Sequence, residues 1–149
     1  MTAALHVVLF ALAFAGMEGV AAVTHRYLMH GPLWVLHRSH HRPRQGAFEL
    51  NDLFGIFFSL PAIACIAAGV HGGPAWLLPI GLGMTAYGAA YFLFHDVLVH
   101  RRVRVRFRPA SAYLQRITLE HLVHHKTTER EGATSFGFLW ARARPDRFV

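Results

Sequence analysis

AALHVVLFALAFAGMEGVAAV, at residues 3–23, carries one charged side chain, Glu18, and leads within two residues into HRYLMH at 25–30. An apolar run of about 20 residues is what a helix needs to cross roughly 30 Å of hydrocarbon. Two further blocks, LFGIFFSLPAIACIAAGV (53–70) and PAWLLPIGLGMTAYGAAYFLF (74–94), have the same character. With 54% hydrophobic and 15% charged residues, the chain has too little polar sequence to wrap three such segments in a soluble core. The expectation is an all-α, multi-pass membrane protein of about three transmembrane helices, in a single domain over 1–149. MTAAL lacks the basic start of a secretory signal, so the first block is expected to be retained. The lone Cys65 lies inside the second block as a small packing residue and implies no disulfide framework.

The formal charge of +7 is unevenly placed, because all fifteen Lys and Arg fall in 26–44 and 101–147. By the positive-inside rule both regions face the cytoplasm, while the amino terminus and the HGG turn at 71–73 lie outside. That orientation predicts a protein of the cell (inner) membrane. The arginines of RRVRVRFR (101–108) then sit at the inner headgroup layer against anionic lipid, and no nucleic acid is expected as a partner.

Ten of the twelve histidines form two copies of one pattern. His25 and His30 precede HRSHH (His37, His40, His41), and His95 and His100 precede HLVHH (His121, His124, His125). Each HxxxxH pair starts where a span ends, and each HxxHH triplet follows in a basic segment, so topology gathers all ten on the cytoplasmic side. On a helix, i, i+3 and i+4 share a face, which predicts that each triplet presents three nitrogens to one small volume. Five residues advance an ideal helix about 140° past a full turn. Each pair must therefore straddle the site or lie on a distorted last turn such as a π-bulge. His6 and His71 fall on the outer side and are excluded.

Ten imidazoles exceed what one ion can coordinate, and two ions with about five ligands each is the economical count. A structural zinc site needs four ligands and favours cysteine; soluble di-iron bundles use Glu and Glu-x-x-His. A histidine-rich dimetal cap at a membrane surface remains, suited to O2 activation for a lipophilic substrate entering from the bilayer. A histidine-rich metal transporter is the competing class, but it would place ligands near the bilayer midplane.

GMEGVAAVTHRYLMHG (16–31), HRSHHRPRQGAFELNDLFG (37–55), GMTAYGAAYFLFHDVLVHRR (83–102) and HLVHHKTTEREGATSFGFL (121–139) resemble the fatty acid hydroxylase / sterol desaturase superfamily and, within it, the bacterial beta-carotene hydroxylases. The resemblance implies that the ten histidines hold two iron ions. It also implies O2-dependent 3-hydroxylation of beta-ionone rings, from beta-carotene through beta-cryptoxanthin to zeaxanthin, with electrons from reduced ferredoxin recharged by NAD(P)H. A ketolase or a lipid desaturase with the same histidines is the alternative. No long tail is expected beyond RARPDRFV (142–149).

Four further polar residues are candidates to support the ligands. Glu18, ionisable within a span, lies seven residues before His25 and about 10 Å deeper. It can orient a ligand, line the substrate path, or pair with a hydroxyl on a neighbouring helix. Tyr91 is one turn before His95, while Asp96 and Glu120 each adjoin a ligand, so they can accept an imidazole N–H. Asn51 and Asp52 are expected to cap the second helix. Phe54, Phe57, Phe58, Tyr87 and Phe92 are expected to pack or face lipid, with some lining a tunnel for a polyene.

Overall fold

The computed structural model describes residues 2–44, 46–106 and 109–140, and these contain helices and connecting segments without a strand. Of the basic regions expected on the cytoplasmic side, Arg108, from the stretch expected at the headgroup layer, and the arginines of RARPDRFV lie outside the described residues. Helix α1 (Ala3–Val23) starts on Thr2, whose hydroxyl accepts the Leu5 N–H at 3.4 Å. It continues without a break into a π-helical turn, π1 (Thr24–Met29), giving one rod of 27 residues. One turn, α2 (Trp34–His37), precedes the long α3 (Asp52–Val70). Helix α4 (Leu77–Tyr91) passes into a second π segment, π2 (Phe92–Val99), for 23 residues in all. Helix α5 (Ala112–His124) is capped by Ser111, whose hydroxyl accepts the Leu114 N–H at 3.2 Å.

Ala3–Met29, Asp52–Val70 and Leu77–Val99 are long and apolar enough to cross a membrane, as expected. Their outer surfaces expose Val7, Leu12, Ile56, Phe57 and Ile63, a continuous apolar exterior that belongs in lipid. The ends of two spans differ from expectation. The first and third helices do not stop at Val23 and Phe94 but run on through His25 and His95. Backbone N–H groups stay satisfied there by i to i+5 bonding, seen at His30 N to His25 O (3.0 Å) and His100 N to His95 O (2.9 Å).

Helix α4 packs against both α1 and α3. Lipid supplies no hydrophobic drive between helices, so close packing on small residues does the holding. A Cβ at Gly83 would strike the backbone of Phe10 and Phe14 in α1, and one at Gly81 would strike Ala62 and Ile66 in α3. His6 and His71 sit at the start of α1 and the end of α3, at the opposite end of the spans from the other histidines. Cys65 is a half-buried free thiol in α3.

Candidate metal centre

The π turns answer the question of the HxxxxH spacing. Closing i to i+5 brings His25 and His30 to one face of the first span's end, and His95 and His100 to one face of the third's. All ten histidines then meet in two groups, each with one ligand atom per residue and all such atoms within 4.8 Å. The first comprises His25, His30, His37, His41 and His124, the second His40, His95, His100, His121 and His125.

The triplets do not serve one volume each, contrary to the expectation from shared helix faces. The i, i+4 pairs stay together, with Nε2 separations of 3.1 Å for His37–His41 and 2.8 Å for His121–His125. The middle members cross over. His40 Nε2 lies 3.0 Å from His95 Nε2, and His124 Nε2 lies 3.2 Å from His30 Nε2. Each half of the chain thus builds four-fifths of one cluster and lends the fifth imidazole to the other. The i+3 ring leaves the helix surface at a different angle from the i and i+4 rings, and with two clusters side by side that angle carries it to the neighbour.

The outer ring nitrogens decide what the inner ones can do. His25, His30, His41 and His124 direct Nδ1 at the carbonyls of Phe136 (3.0 Å), Arg130 (2.9 Å), Thr127 (2.7 Å) and Thr134 (2.8 Å). His37 Nδ1 meets Asn51 Oδ1 at 2.7 Å, His40 Nδ1 meets Glu49 Oε2 at 3.0 Å, and His95 Nδ1 meets Asp96 Oδ2 at 3.2 Å. Carbonyl and carboxylate oxygens only accept, so these seven rings carry their proton on Nδ1 and present a bare Nε2 inward. Facing lone pairs at 3.0–3.2 Å, as in His25–His37 and His40–His95, repel unless a cation lies between them. An ion about 2.1 Å from nitrogens at near right angles would set them about 3 Å apart. The donor set fits two metal ions.

Electrostatics keep the nitrogens free for that role. Burial, with neighbouring imidazoles adding to it, lowers His37, His100 and His124 to about 3. His41 falls to about 4 and His40, His121 and His125 also lie well below the ordinary value, burial again leading. At neutral pH these rings are uncharged, the form that ligates.

Asp96 supports His95 and is itself gripped by Arg102, at 2.8 Å. The same guanidinium holds Asp52 through two bonds of 2.7 Å, and Asp52 accepts the Glu49 N–H at 2.9 Å. Asn51 and Asp52 are therefore not simple caps, and no side chain caps α3. Tyr91 stacks on the His95 ring, 4.4 Å between centroids, rather than accepting from it. Glu120 makes no hydrogen bond to an imidazole among the described residues; it borders a second hollow with Arg26, Tyr27 and Lys126. Glu18 touches no histidine. Its carboxylate accepts the Tyr87 hydroxyl at 2.7 Å and the backbone N–H groups of Phe138, Leu139 and Trp140.

Glu49, Arg102 and the four carbonyls between Thr127 and Phe136 carry no signal in the sequence pattern. Glu49 reads as a loop charge, Arg102 reads with its neighbours as a headgroup-layer charge but instead pairs with Asp52 and Asp96, and a carbonyl belongs to every residue. Arg102→Leu would leave Asp96 and Asp52 unpaired and free His95 to reorient. Metal affinity at the His95 cluster should fall about 10–100-fold. Unchanged affinity in a titration with a divalent metal ion would mean the ion pair only braces the fold.

A cavity of about 660 Å³ runs from the spans to the clusters. Met17, Phe58, Ala62, Met84 and Phe92 line its apolar length; His25, His95 and His121 close its end. The Phe136 ring packs edge-on against His25 and His124, and Phe138 against His95 and His121, so one aromatic ring covers each cluster on the cavity side. Of the aromatic residues considered for a tunnel, Phe54, Phe58, Tyr87 and Phe92 line it, while Phe57 faces outward.

The fatty acid hydroxylase family model matches residues 10–147, both histidine sets included. The chain belongs to the fatty acid hydroxylase family. Among curated members it is 52% identical to the beta-carotene hydroxylase of Pseudescherichia vulneris over 136 residues, 91% of this chain and 76% of that one. It is 50% identical to the beta-carotene hydroxylase of Pantoea ananas over 127 residues, 85% and 71% of the two chains. The beta-carotene hydroxylase of Paracoccus sp. (strain PC1) is 43% identical over 126 residues, 84% and 77%. No solved structure matches the chain. Membership makes the chain a hydroxylase, and its ten convergent histidines are a cluster able to bind metal.

Proposed function

We propose that this hydroxylase is a di-iron, O2-dependent beta-carotene 3-hydroxylase of the cell membrane, with its metal centre on the cytoplasmic side. The observation that carries the proposal is the apolar cavity that begins among the spans and ends on His25, His95 and His121. The relatives' beta-carotene hydroxylase names support the substrate, and the grouping of all fifteen Lys and Arg in 26–44 and 101–147 supports the orientation.

His25, His30, His37, His41 and His124 would hold one iron, and His40, His95, His100, His121 and His125 the other. Two irons held there would supply the activation of O2. The protein's own groups do the rest. Carbonyls, Asn51, Glu49 and Asp96 fix the imidazoles with Nε2 inward. Phe136 and Phe138 keep water from the cavity end, and the lining holds the polyene so that one ring carbon reaches the centre. Overall, ring C–H, O2, two electrons and two protons become ring C–OH and water. A reduced ferredoxin, recharged from NAD(P)H, supplies the electrons; exposed Arg38, Arg42, Arg44 and Arg130 near the clusters support an acidic partner surface.

Expression in cells that accumulate beta-carotene tests the proposal. Beta-cryptoxanthin should appear before zeaxanthin, because a cavity ending on one centre admits one ring per visit. Under labelled O2, each new hydroxyl oxygen at carbon 3 should carry the label. Label from water would rule out an oxygenase, and a carbonyl at carbon 4 as main product would reassign the chain to the ketolases.

A further inference from the structure

The two clusters differ in what steadies them. Four of five rings in the His25 cluster lean on backbone carbonyls from a single irregular segment, at Thr127, Arg130, Thr134 and Phe136. In the His95 cluster, His40 and His95 lean on the side chains of Glu49 and Asp96, which lie elsewhere in the chain. Phe138 covers the second cluster with its ring but makes no hydrogen bond to an imidazole.

The segment 127–140 starts at the end of α5, and its far end is held mainly at one point. Glu18 Oε1 accepts the N–H groups of Phe138 (2.6 Å), Leu139 (2.8 Å) and Trp140 (3.0 Å), and Oε2 accepts the Tyr87 hydroxyl at 2.7 Å. Glu18 is 7% exposed, two turns down the first span from His25. Non-helical backbone at that depth has no water for its N–H groups, so it can lie there only if protein satisfies them. Gly137 allows the approach, since a Cβ there would come within 2.9 Å of Glu18 Oε1. A Tyr113 hydroxyl bond to the Leu139 carbonyl, 2.7 Å, adds a weaker, exposed tie.

We propose that Glu18 is a positioning residue for one metal site: by anchoring residues 138–140 it holds the carbonyls that orient His25, His30, His41 and His124, and so governs occupancy of the His25 cluster but not of the His95 cluster. This rests on the reading that each cluster holds an iron. Its effect passes through the backbone, since Glu18 reaches no imidazole.

The test is ferrous iron binding to the purified full chain, with Mössbauer spectra of the bound iron. Wild type should bind about two irons, one per cluster. Glu18→Leu should bind about one, and its spectrum should match that of His124→Ala, which lacks a His25-cluster ligand, and not that of His40→Ala. Glu18→Gln keeps an oxygen for the three N–H groups and should restore most of the second iron. Gly137→Ala, whose added methyl presses on the Glu18 carboxylate and pushes the segment away while Glu18 and every histidine keep their identity, should lose the same iron as Glu18→Leu. The proposal is overturned if Glu18→Leu or Gly137→Ala keeps both irons or loses both alike, or if Glu18→Gln does no better than Glu18→Leu. Product identity does not enter this readout, so a different hydroxylation product would count against the proposed substrate and leave this inference standing.

Discussion

On the proposed di-iron reading, His40→Ala should abolish hydroxylation and remove iron from the cluster built mostly by the other half of the chain. His40 belongs to the first triplet, yet its Nε2 lies 3.0 Å from His95 and its ring stacks on His95 at 4.8 Å. His37, three residues earlier, lies 3.1 Å from His25 and His41 instead. Loss of an outer hydrogen-bond partner costs about 10–100-fold in affinity or activity. Loss of a ligand should exceed this, leaving activity below about 1% of wild type. The packing of α4 against α1 and α3 does not involve His40, so the protein should still insert and extract normally. The sharper expectation is the crossing: His40→Ala and His37→Ala should retain different irons, and His124→Ala should retain the same one as His37→Ala. Iron analysis with Mössbauer spectra of the three variants decides it. If His37→Ala and His40→Ala retained the same iron, each triplet would be serving one ion and the partition would be wrong.

Gly88→Phe should cut the proposed carotenoid hydroxylation while leaving the metal content of both clusters in place. Gly88 lines the cavity, and a Cβ added there meets no atom within 4 Å, so a ring at this position has room at the cavity wall without striking a neighbouring helix. Within about 660 Å³ a phenyl group obstructs a long rigid polyene. Misfits of a single methylene change specificity about 10–200-fold, so a fall in kcat/KM of at least about tenfold is expected. The histidines closing the cavity are a turn or more beyond Gly88, and iron content should not change. Wild-type kcat/KM in this variant would mean that the substrate reaches the centre by another route.

The contrast between these two positions shows where sequence is informative. The three spans are legible because apolar length is a local property, as is the delivery of His25 and His95 to one side. The ten histidines announce themselves through a repeat that bland packing does not explain. Asn51, by contrast, sits before a helix and reads as a cap, yet its oxygen holds His37 at 2.7 Å. Glu18 reads as a group near a ligand in its own span or as the partner of a hydroxyl on a neighbouring helix, and the Tyr87 hydroxyl of α4 fulfils the second reading. Its actual partners, Tyr87 and residues 138–140, are 69 and more than 100 positions away in the chain.

By itself the sequence determined the helical membrane class, the histidine donors and their gathering at one end of the spans, because hydropathy and spacing act over one or two turns. Tertiary structure decided which imidazole faces which. The π turns, the exchange of His40 and His124, and the carbonyls of 127–136 depend on where ring vectors and backbone groups from separate segments meet. Those directions are set by packing: α4 drawn close to its neighbours at Gly81 and Gly83, and the 127–140 segment held against the first span by Glu18.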